Sequence, residues 1–314
     1  MPSYSGIWTL SQQFQAVGQG LWPPNFVPTE TFAIFALGNT GSASTTRDKY
    51  TYAGCVVSAG SASTVASRGG SAAGTSAVGI FALALGTSFP PVTTRNKYTY
   101  SGDVVSAGGA ATAASYNGSA AGNSTVGIFA LGDVSCSAST TRDKYTYSGC
   151  VVSAGGAATV ASRSGAAAGN STVGIFALGS ASTTRNKYTY SGCVVSAGTA
   201  SAFTSNAGAA AGNTTVGIFA YGIACGSRST LRQKYTYSSD TSASATSAST
   251  AAGEGSATGN STLGIFALGY SNCGAITTRE KYTYSGCVSA AGGAATAASY
   301  RGAAASNGTS GVNI

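Results

Sequence analysis

The 314-residue chain contains no histidine. Histidine is the base of Ser–His–Asp and Cys–His catalysis and the commonest nitrogen ligand of zinc and copper. The sequence therefore excludes those active sites and most sites for these metals. We expect no metal, no other cofactor and no enzymatic activity.

Charge and long apolar runs are also scarce. Charged residues make up 8% of the chain, which is too few for a solvated disordered protein. No run of 18 apolar residues occurs, so we expect no membrane insertion. Residues 1–6 lack a basic region followed by an apolar stretch, so no secretory signal is visible.

A unit of about 47 residues occurs six times along the chain. Each copy contains the pattern Thr-x-Arg-x-Lys-Tyr-Thr-Tyr or a close variant of it, and the spacing between copies is 43 to 48 residues. The arginines of the six copies are Arg47, Arg95, Arg142, Arg185, Arg232 and Arg279. A repeat this regular indicates one repeat domain over residues 31–314, preceded by an arm at residues 1–30.

Each copy carries signals for four β-strands. Residues 174–179 form an apolar run bounded by glycines, and residues 142–147 alternate in chemistry with period two. After a Ser-Gly turn, residues 150–153 are rich in β-branched residues, and an alanine-rich segment at 164–168 ends at a Gly-Asn turn. Four strands in about 47 residues predict an all-β, six-bladed β-propeller of four-stranded blades, with a β-helix as the main alternative.

The two ends of the repeat domain complement each other. Residues 31–38 match the apolar strand, and residues 303–309 match the strand and turn that precede it in other copies. We therefore expect strands from both termini to complete the first blade and close the ring without a free edge. Residues 311–314 look like a further apolar strand, which leaves open either strand exchange between protomers or a frayed tail.

The order of elements resembles the kelch repeat. In that pattern an apolar strand ending at glycine is followed by a strand with a tyrosine, an outer strand and a segment with an arginine. The matching residues are Ile128, Phe129, Tyr145, Tyr147, Arg68 and Arg163. The resemblance covers residues 31–314 and implies a propeller fold but no activity. The chain departs from the kelch pattern in two ways: the double glycine is reduced to one glycine, and the tryptophan of the outer strand is absent.

The net charge of +8 is distributed around the repeat. Of the 16 basic residues, 12 are the arginine and lysine of the six copies. Nucleic-acid binding requires basic residues gathered along one surface, so we expect no nucleic-acid partner. We interpret the repeated basic residues as charges that protect edge strands from pairing.

One repeat position alternates between acids and amides. It lies between the arginine and the lysine and is occupied by Asp48, Asn96, Asp143, Asn186, Gln233 and Glu280. An acid–base catalyst cannot be replaced by an amide, whereas a hydrogen-bonding group can. We therefore predict a cross-strand hydrogen-bonding role for this position.

The seven cysteines allow two interpretations. Their spacing suggests disulfides Cys136–Cys150, Cys273–Cys287 and Cys193–Cys225, with Cys55 free. An extended Tyr-Thr-Tyr strand, however, separates its two ends by ~20 Å, against the Cα limit of about 7 Å for a disulfide. Simple thiols are the alternative.

Six Asn-x-Ser/Thr sequons are possible glycosylation sites. They are Asn117, Asn123, Asn170, Asn213, Asn260 and Asn307. Asparagine followed by serine or threonine is also ordinary turn chemistry, and this is the alternative reading.

The N-terminal arm breaks the repeat and contains both tryptophans of the chain. Leu10, Phe14 and Val17 have the spacing of a helical stripe, and Pro23 and Pro24 impose an extended crossing. The arm residues predicted to pack on this propeller or on a neighbour are Ile7, Trp8, Leu10, Phe14, Val17 and Trp22. Residues 6–16 and Trp22-Pro23 are similar to the openings of structural proteins of phages and environmental viruses, which implies an assembly protein.

Two functional hypotheses follow. The first is a non-catalytic structural protein, extracellular or virion-associated, that self-assembles into a fibre, tail or filament through its arm. The second is a propeller that recognises a receptor or a cell-surface glycan through its loops. The candidate ligand-facing residues for the second are Arg68, Arg163, Tyr116, Tyr221, Tyr270 and Tyr300.

Overall fold

A computed structural model describes residues 31–308 of the chain. These residues form an all-β structure of six antiparallel four-stranded sheets with shorter β-hairpins. Two single turns of 3-10 helix, Ser148–Cys150 and Ser191–Cys193, interrupt the strands. The all-β class predicted from the sequence is confirmed, and the repeated sheets fit a propeller-like fold.

We number the sheets 1 to 6 along the chain, starting with the sheet that contains Phe32–Ala36, and name their strands A to D in order across each sheet. The A strands are Ala303–Ser306, Ser71–Gly74, Ser119–Gly122, Ala166–Gly169, Ala209–Gly212 and Ser256–Gly259. The B strands are Phe32–Ala36, Val78–Ala82, Val126–Ala130, Val173–Ala177, Val216–Ala220 and Leu263–Ala267.

The C strands carry the Arg-x-Lys-Tyr-Thr pattern, and the D strands are the exposed outer ones. The C strands are Arg47–Thr51, Arg95–Thr99, Arg142–Thr146, Arg185–Thr189, Arg232–Thr236 and Arg279–Thr283. The D strands are Val56–Gly60, Val104–Ala107, Val151–Ala154, Val194–Gly198, Thr241–Ala245 and Val288–Ala291.

Shorter strands lie at the end of the sheets where the A strands begin and the B strands end, which we call the upper end. They are Ser115–Tyr116, Asp133–Val134, Ser137–Ala138, Ile223–Ala224, Ser227–Arg228, Ala252–Gly253, Tyr270–Ser271 and Gly274–Ala275. The opposite, lower end carries the turns between A and B strands and between C and D strands.

The core lies between neighbouring sheets. Ala73 and Ile80 of sheet 2, for example, pack in one cluster with Phe129 and Tyr145 of sheet 3. Small residues permit this close approach: a side chain at Gly127 of sheet 3 would come within 3.2 Å of the Ala73 Cβ of sheet 2. Each A strand contacts the A strands of the adjacent sheets, and that of sheet 6 contacts that of sheet 1.

Strands from the two ends of the described chain complete sheet 1. The A strand Ala303–Ser306 pairs antiparallel with the B strand Phe32–Ala36, with Ala305 opposite Ile34. The predicted pairing of N-terminal and C-terminal strands is therefore confirmed. Residues 311–314, on which the alternative of strand exchange depends, lie outside the described residues.

The repeated arginines do not protect sheet edges, so that interpretation was wrong. The C strand is the third of four and pairs on both sides. The arginine side chains lie in the space between sheets, and five of the six arginines are only 1% exposed.

The predicted disulfides are absent: all seven cysteines are free thiols. The loop cysteines Cys136, Cys225 and Cys273 lie in upper-end loops, and the turn cysteines Cys55, Cys150, Cys193 and Cys287 lie beside the lower turns that join C and D strands. Each proposed pair, Cys136–Cys150, Cys273–Cys287 and Cys193–Cys225, would have to bridge the two ends of a sheet. The extended C strand prevents this.

We expect alkylation of the denatured protein without reductant to modify all seven cysteines. Intact-mass measurement before and after alkylation provides the count, and a reduced sample is the control. A non-reduced sample that takes up two fewer groups than the reduced one would contradict the free-thiol arrangement.

Candidate functional site

A cycle of backbone hydrogen bonds joins the upper ends of the six sheets. Each bond runs from the N–H of one residue to the carbonyl of its counterpart in the preceding sheet, over 2.6–2.8 Å. The participants are Gly69, Asn117, Ser164, Ala207, Glu254 and Arg301. Gly69 donates to Arg301 and Asn117 to Gly69, so the sequence of bonds returns to its start.

The cycle depends on an unusual backbone conformation. All six residues have φ between 53° and 69°, the left-handed region. Five of them are not glycine, and this region costs such residues about 1–2 kcal/mol each. The residue that follows is always glycine; a side chain at Gly118, for example, would lie 2.4 Å from the Ala130 carbonyl oxygen. The hydrogen bond made by each N–H offsets the conformational cost.

The cycle frames a small polar cavity of about 70 Å³. Its lining consists of the six cycle residues and the six glycines that follow them. The side chains of Glu254 and Arg301 form an ion pair with a 2.8 Å contact between Oε1 and Nη2. The cavity therefore combines backbone groups from every sheet with one charged pair.

All four arginines outside the repeat pattern lie at the upper end. They are Arg68, Arg163, Arg228 and Arg301. Arg163 approaches Asp133 at 3.4 Å with its side chain 52% exposed. Arg228 lies over the ring of Tyr270, with 4.8 Å between the guanidinium carbon and the ring centroid. Among the described residues, Asp133 and Glu254 are the two carboxylates that form ion pairs with these four arginines, so arginine is in excess over its paired carboxylates.

The structure brings five of the six predicted ligand-facing residues to this end. Arg68, Tyr116, Arg163 and Tyr300 occupy one repeat position, immediately before a residue of the cycle. Tyr270 packs edge-on against Tyr300, with 5.0 Å between ring centroids.

Tyr221 is the exception, and its assignment as ligand-facing was wrong. It occupies the position that holds leucine after most B strands, is 3% exposed and donates a 2.6 Å hydrogen bond to Gln233. Gln233 belongs to the same sheet and also accepts the bond from Arg185 of sheet 4, so the hydroxyl supports a buried contact.

Each repeated arginine joins its sheet to the next one. Arg95 of sheet 2 donates to Asp143 of sheet 3 over 2.8 Å, and its guanidinium lies over Phe129 at 4.6 Å. The corresponding donor–acceptor pairs are Arg47–Asn96, Arg142–Asn186, Arg185–Gln233, Arg232–Glu280 and Arg279–Asp48. The last pair joins sheet 6 to sheet 1.

The alternating acid and amide position is a hydrogen-bonding site, as predicted, but its bonds cross between sheets. Asp143 also accepts bonds from the backbone and hydroxyl of Thr112, which leads into the A strand of its own sheet. Asn186 makes the equivalent contacts with Thr159. An amide can therefore replace the acid without loss of the bonding pattern.

Carboxylates compensate the buried arginines at most junctions. Where sheet 2 has an amide at the alternating position, Asp103 replaces the turn cysteine of other sheets. Asp240 does the same in sheet 5, but it bonds to Tyr235 and Thr199. Burial lowers the pKa of Arg47, and the charge of Asp103 raises it, with a net value of about 10. Sheet 4 has Asn186 and Cys193 at these two positions, and burial lowers the pKa of Arg142 to about 10. Among the described residues, the junction of sheets 3 and 4 thus lacks a carboxylate at both positions.

Glu280 has a lowered pKa. Burial opposes its ionisation, but hydrogen bonds from Ser249 and the charge of Arg232 outweigh burial and lower the pKa below the ordinary value of 4.5. The Arg232–Glu280 contact measures 2.6 Å.

Four sequons lie in equivalent lower turns between A and B strands. The side-chain oxygens of Asn123, Asn170, Asn213 and Asn260 accept backbone bonds two and three residues ahead. Three of these amides also donate to the turn of the next sheet. Asn307 accepts from the backbone of Phe32, and Asn117 belongs to the upper cycle. These contacts are turn chemistry; glycosylation stays a prediction.

The six residues assigned to the arm, Ile7, Trp8, Leu10, Phe14, Val17 and Trp22, lie outside the described residues. Within residues 31–308, no helix is long and apolar enough to cross a membrane. The same part of the chain contains no group of three or more Cys, Asp or Glu side chains placed to hold a metal ion. No protein-family model and no curated protein matches the sequence.

The backbone cycle was not predicted from the sequence. Its only sequence signal is a glycine immediately before each A strand, preceded by a residue that differs from copy to copy. Because the bonds involve backbone atoms, the side chains at this position are free to vary.

We expect Asn186→Asp to stabilise the protein by about 1–2 kcal/mol, because it places a carboxylate beside Arg142 in the arrangement that Asp143 makes with Arg95. Asp143→Asn should destabilise by a similar amount. Chemical denaturation of both variants and of the exchange variant Asp143→Asn/Asn186→Asp measures the effect. Destabilisation by Asn186→Asp would contradict this account of charge compensation.

We expect Glu280→Gln to lower stability at neutral pH and to leave it unchanged in acid. A carboxylate with a lowered pKa stabilises the folded state above its unfolded pKa, and this contribution disappears as pH falls through the folded value. Denaturation midpoints of wild type and variant should therefore converge below pH 4.5. A constant difference from pH 3 to pH 8 would assign the effect to packing instead.

Proposed function

We propose that the six sheets are the blades of a closed six-bladed β-propeller. Three independent contacts between the two ends of the described chain support closure. The strand Ala303–Ser306 pairs with Phe32–Ala36, Arg279 bonds to Asp48, and the cycle links Arg301 to Gly69. In a closed ring of blades the A strands face the centre and are protected by one another. The D strands are then the sheet edges that stay exposed.

We further propose that this propeller is a non-catalytic structural protein that self-assembles into a fibre, tail or extracellular filament. The observation that carries the proposal is the chemistry of the D strands. Each is the outermost strand of its sheet and pairs on one side only, with its C strand. None of the six contains a charged residue or a proline. Their first residues are 51–59% exposed in five sheets: Val56, Val104, Val151, Val194 and Val288.

Uncharged outer strands favour association. Monomeric proteins usually protect such edges with lysine, proline or bulges, because free backbone N–H and C=O groups can pair with another chain. Here the repeated arginines are used inside the protein, and the outer strands themselves carry neither lysine nor proline. An extended peptide can add to such an edge through main-chain hydrogen bonds.

The arm is the proposed connector. Its 30 residues precede the B strand of sheet 1 and hold both tryptophans. Fully extended, such a segment reaches about 100 Å, enough to contact a neighbouring molecule. Docking of the arm on the outer strand of the next propeller is a head-to-tail contact, and repetition of such contacts without closure produces a filament. This function implies an extracellular or virion-associated location.

The second candidate function is recognition of a receptor or cell-surface glycan. The observation that favours it is the presence of Arg68, Tyr116, Arg163, Tyr270 and Tyr300 at the upper end. All of them except Tyr270 immediately precede a residue that lines the cavity. Loops on a rigid scaffold are common binding sites. Recognition and assembly use different surfaces and are compatible.

Deletion of residues 1–28 should produce a folded monomer. Size-exclusion chromatography and negative-stain microscopy measure assembly, and circular dichroism checks the fold. Filaments that form without the arm would refute its role as connector.

Val151→Lys/Val194→Lys should weaken assembly of the full chain, because two charges on the outer strands oppose strand addition. The matched control is Val65→Lys, a change of the same type at an exposed valine of an upper loop. Unchanged filaments in the outer-strand variant would place the docking site elsewhere on the protein.

A further inference from the structure

The upper end differs from the rest of the surface in its exposed apolar residues. Apart from the outer-strand valines, the large apolar side chains that are well exposed among the described residues lie in loops at this end. They are Val65, Phe89, Val160, Phe203 and Leu231, 37–58% exposed. Exposed apolar and aromatic side chains of loops at one end of a rigid scaffold are available to a ligand.

Polar groups at this end lack protein partners. The Nε atoms of Arg68 and Arg228 and the Oδ1 atom of Asn206 are buried and make no hydrogen bond within the described residues. A buried polar atom without a partner costs about 1–3 kcal/mol. Arg68 and Asn206 occupy the repeat position immediately before a cycle residue, in sheets 2 and 5, and Arg228 lies in the upper strand Ser227–Arg228.

Two arginines are available to a ligand. Arg68 has no ion pair among the described residues, and Arg163 holds Asp133 only through a long 3.4 Å contact. The guanidinium group recognises carboxylates through paired hydrogen bonds. Arg301 is paired closely with Glu254, and that pair can bond to hydroxyl groups through its exposed atoms.

We propose that the upper surface binds an acidic saccharide, whose carboxylate pairs with Arg68 or Arg163 and whose apolar face rests on Tyr300 or Tyr116. Sugars present hydroxyls along their edges and apolar C–H faces, which match the polar cavity and the aromatic rings around it. The excess of arginine over carboxylate selects an anionic sugar over a neutral one. This inference rests on the recognition function above and is independent of assembly.

Binding of the full chain to an array of carboxylated, sulfated and neutral oligosaccharides, followed by titration calorimetry, tests the proposal. We expect a carboxylated sugar to bind and its methyl ester to bind roughly tenfold more weakly, the loss expected for a charge-assisted hydrogen bond. Arg68→Gln/Arg163→Gln should reduce affinity to a similar or greater extent. Lys97→Gln/Lys144→Gln removes equal charge from two C strands and should retain binding.

The other outcomes decide against the proposal in different ways. Equal binding of the methyl ester would overturn the acidic class and leave recognition standing. Equal loss in the lysine control would show a non-specific charge effect. No binding to any saccharide would refute the inference and the glycan form of the recognition function, and would leave only recognition of a protein receptor. The arm-deletion experiment judges assembly separately.

Discussion

The contact between each repeated arginine and the next sheet is the interaction on which the rest of the structure depends. The guanidinium of Arg95 lies against Phe129 and bonds to Asp143, and the other five copies repeat this arrangement. An arginine is rarely buried without partners, because the loss of hydration is costly. Here one side chain supplies packing, cation–π contact and a hydrogen bond at the same junction, and so sets how the sheets meet.

This use of charge explains the surface. With six arginines inside and few acids available, three junctions rely on amide partners, and two of these have an aspartate in the adjacent turn. The outer strands themselves carry no charge, and their exposed valines are the basis for the proposed assembly. The remaining arginines gather at the upper end, where they define the proposed binding surface. The proposed functions thus follow from the charges that the core does not use.

Much of the fold could be predicted from the repeat. The period, the glycine-bounded apolar run and the matching termini led to four strands per copy and to the pairing of Phe32–Ala36 with Ala303–Ser306. The roles of individual side chains were harder to predict. Tyr221 resembles a loop aromatic in sequence but takes the place of a buried leucine, and Cys136 and Cys150 are close in sequence but separated by the length of a strand.

By itself, the sequence determined the all-β class, the number of repeats, the absence of histidine chemistry and the hydrogen-bonding character of the alternating acid and amide position. These are properties of composition and periodicity, which local strand geometry translates directly into structure. The tertiary structure alone decided that the arginines are internal, that Arg68, Arg163 and Tyr300 share one end, and that a backbone cycle joins that end. The contacts of the cycle join residues about 47 positions apart through backbone atoms. A hydrogen bond between backbone atoms does not require particular side chains, so the sequence does not predict it.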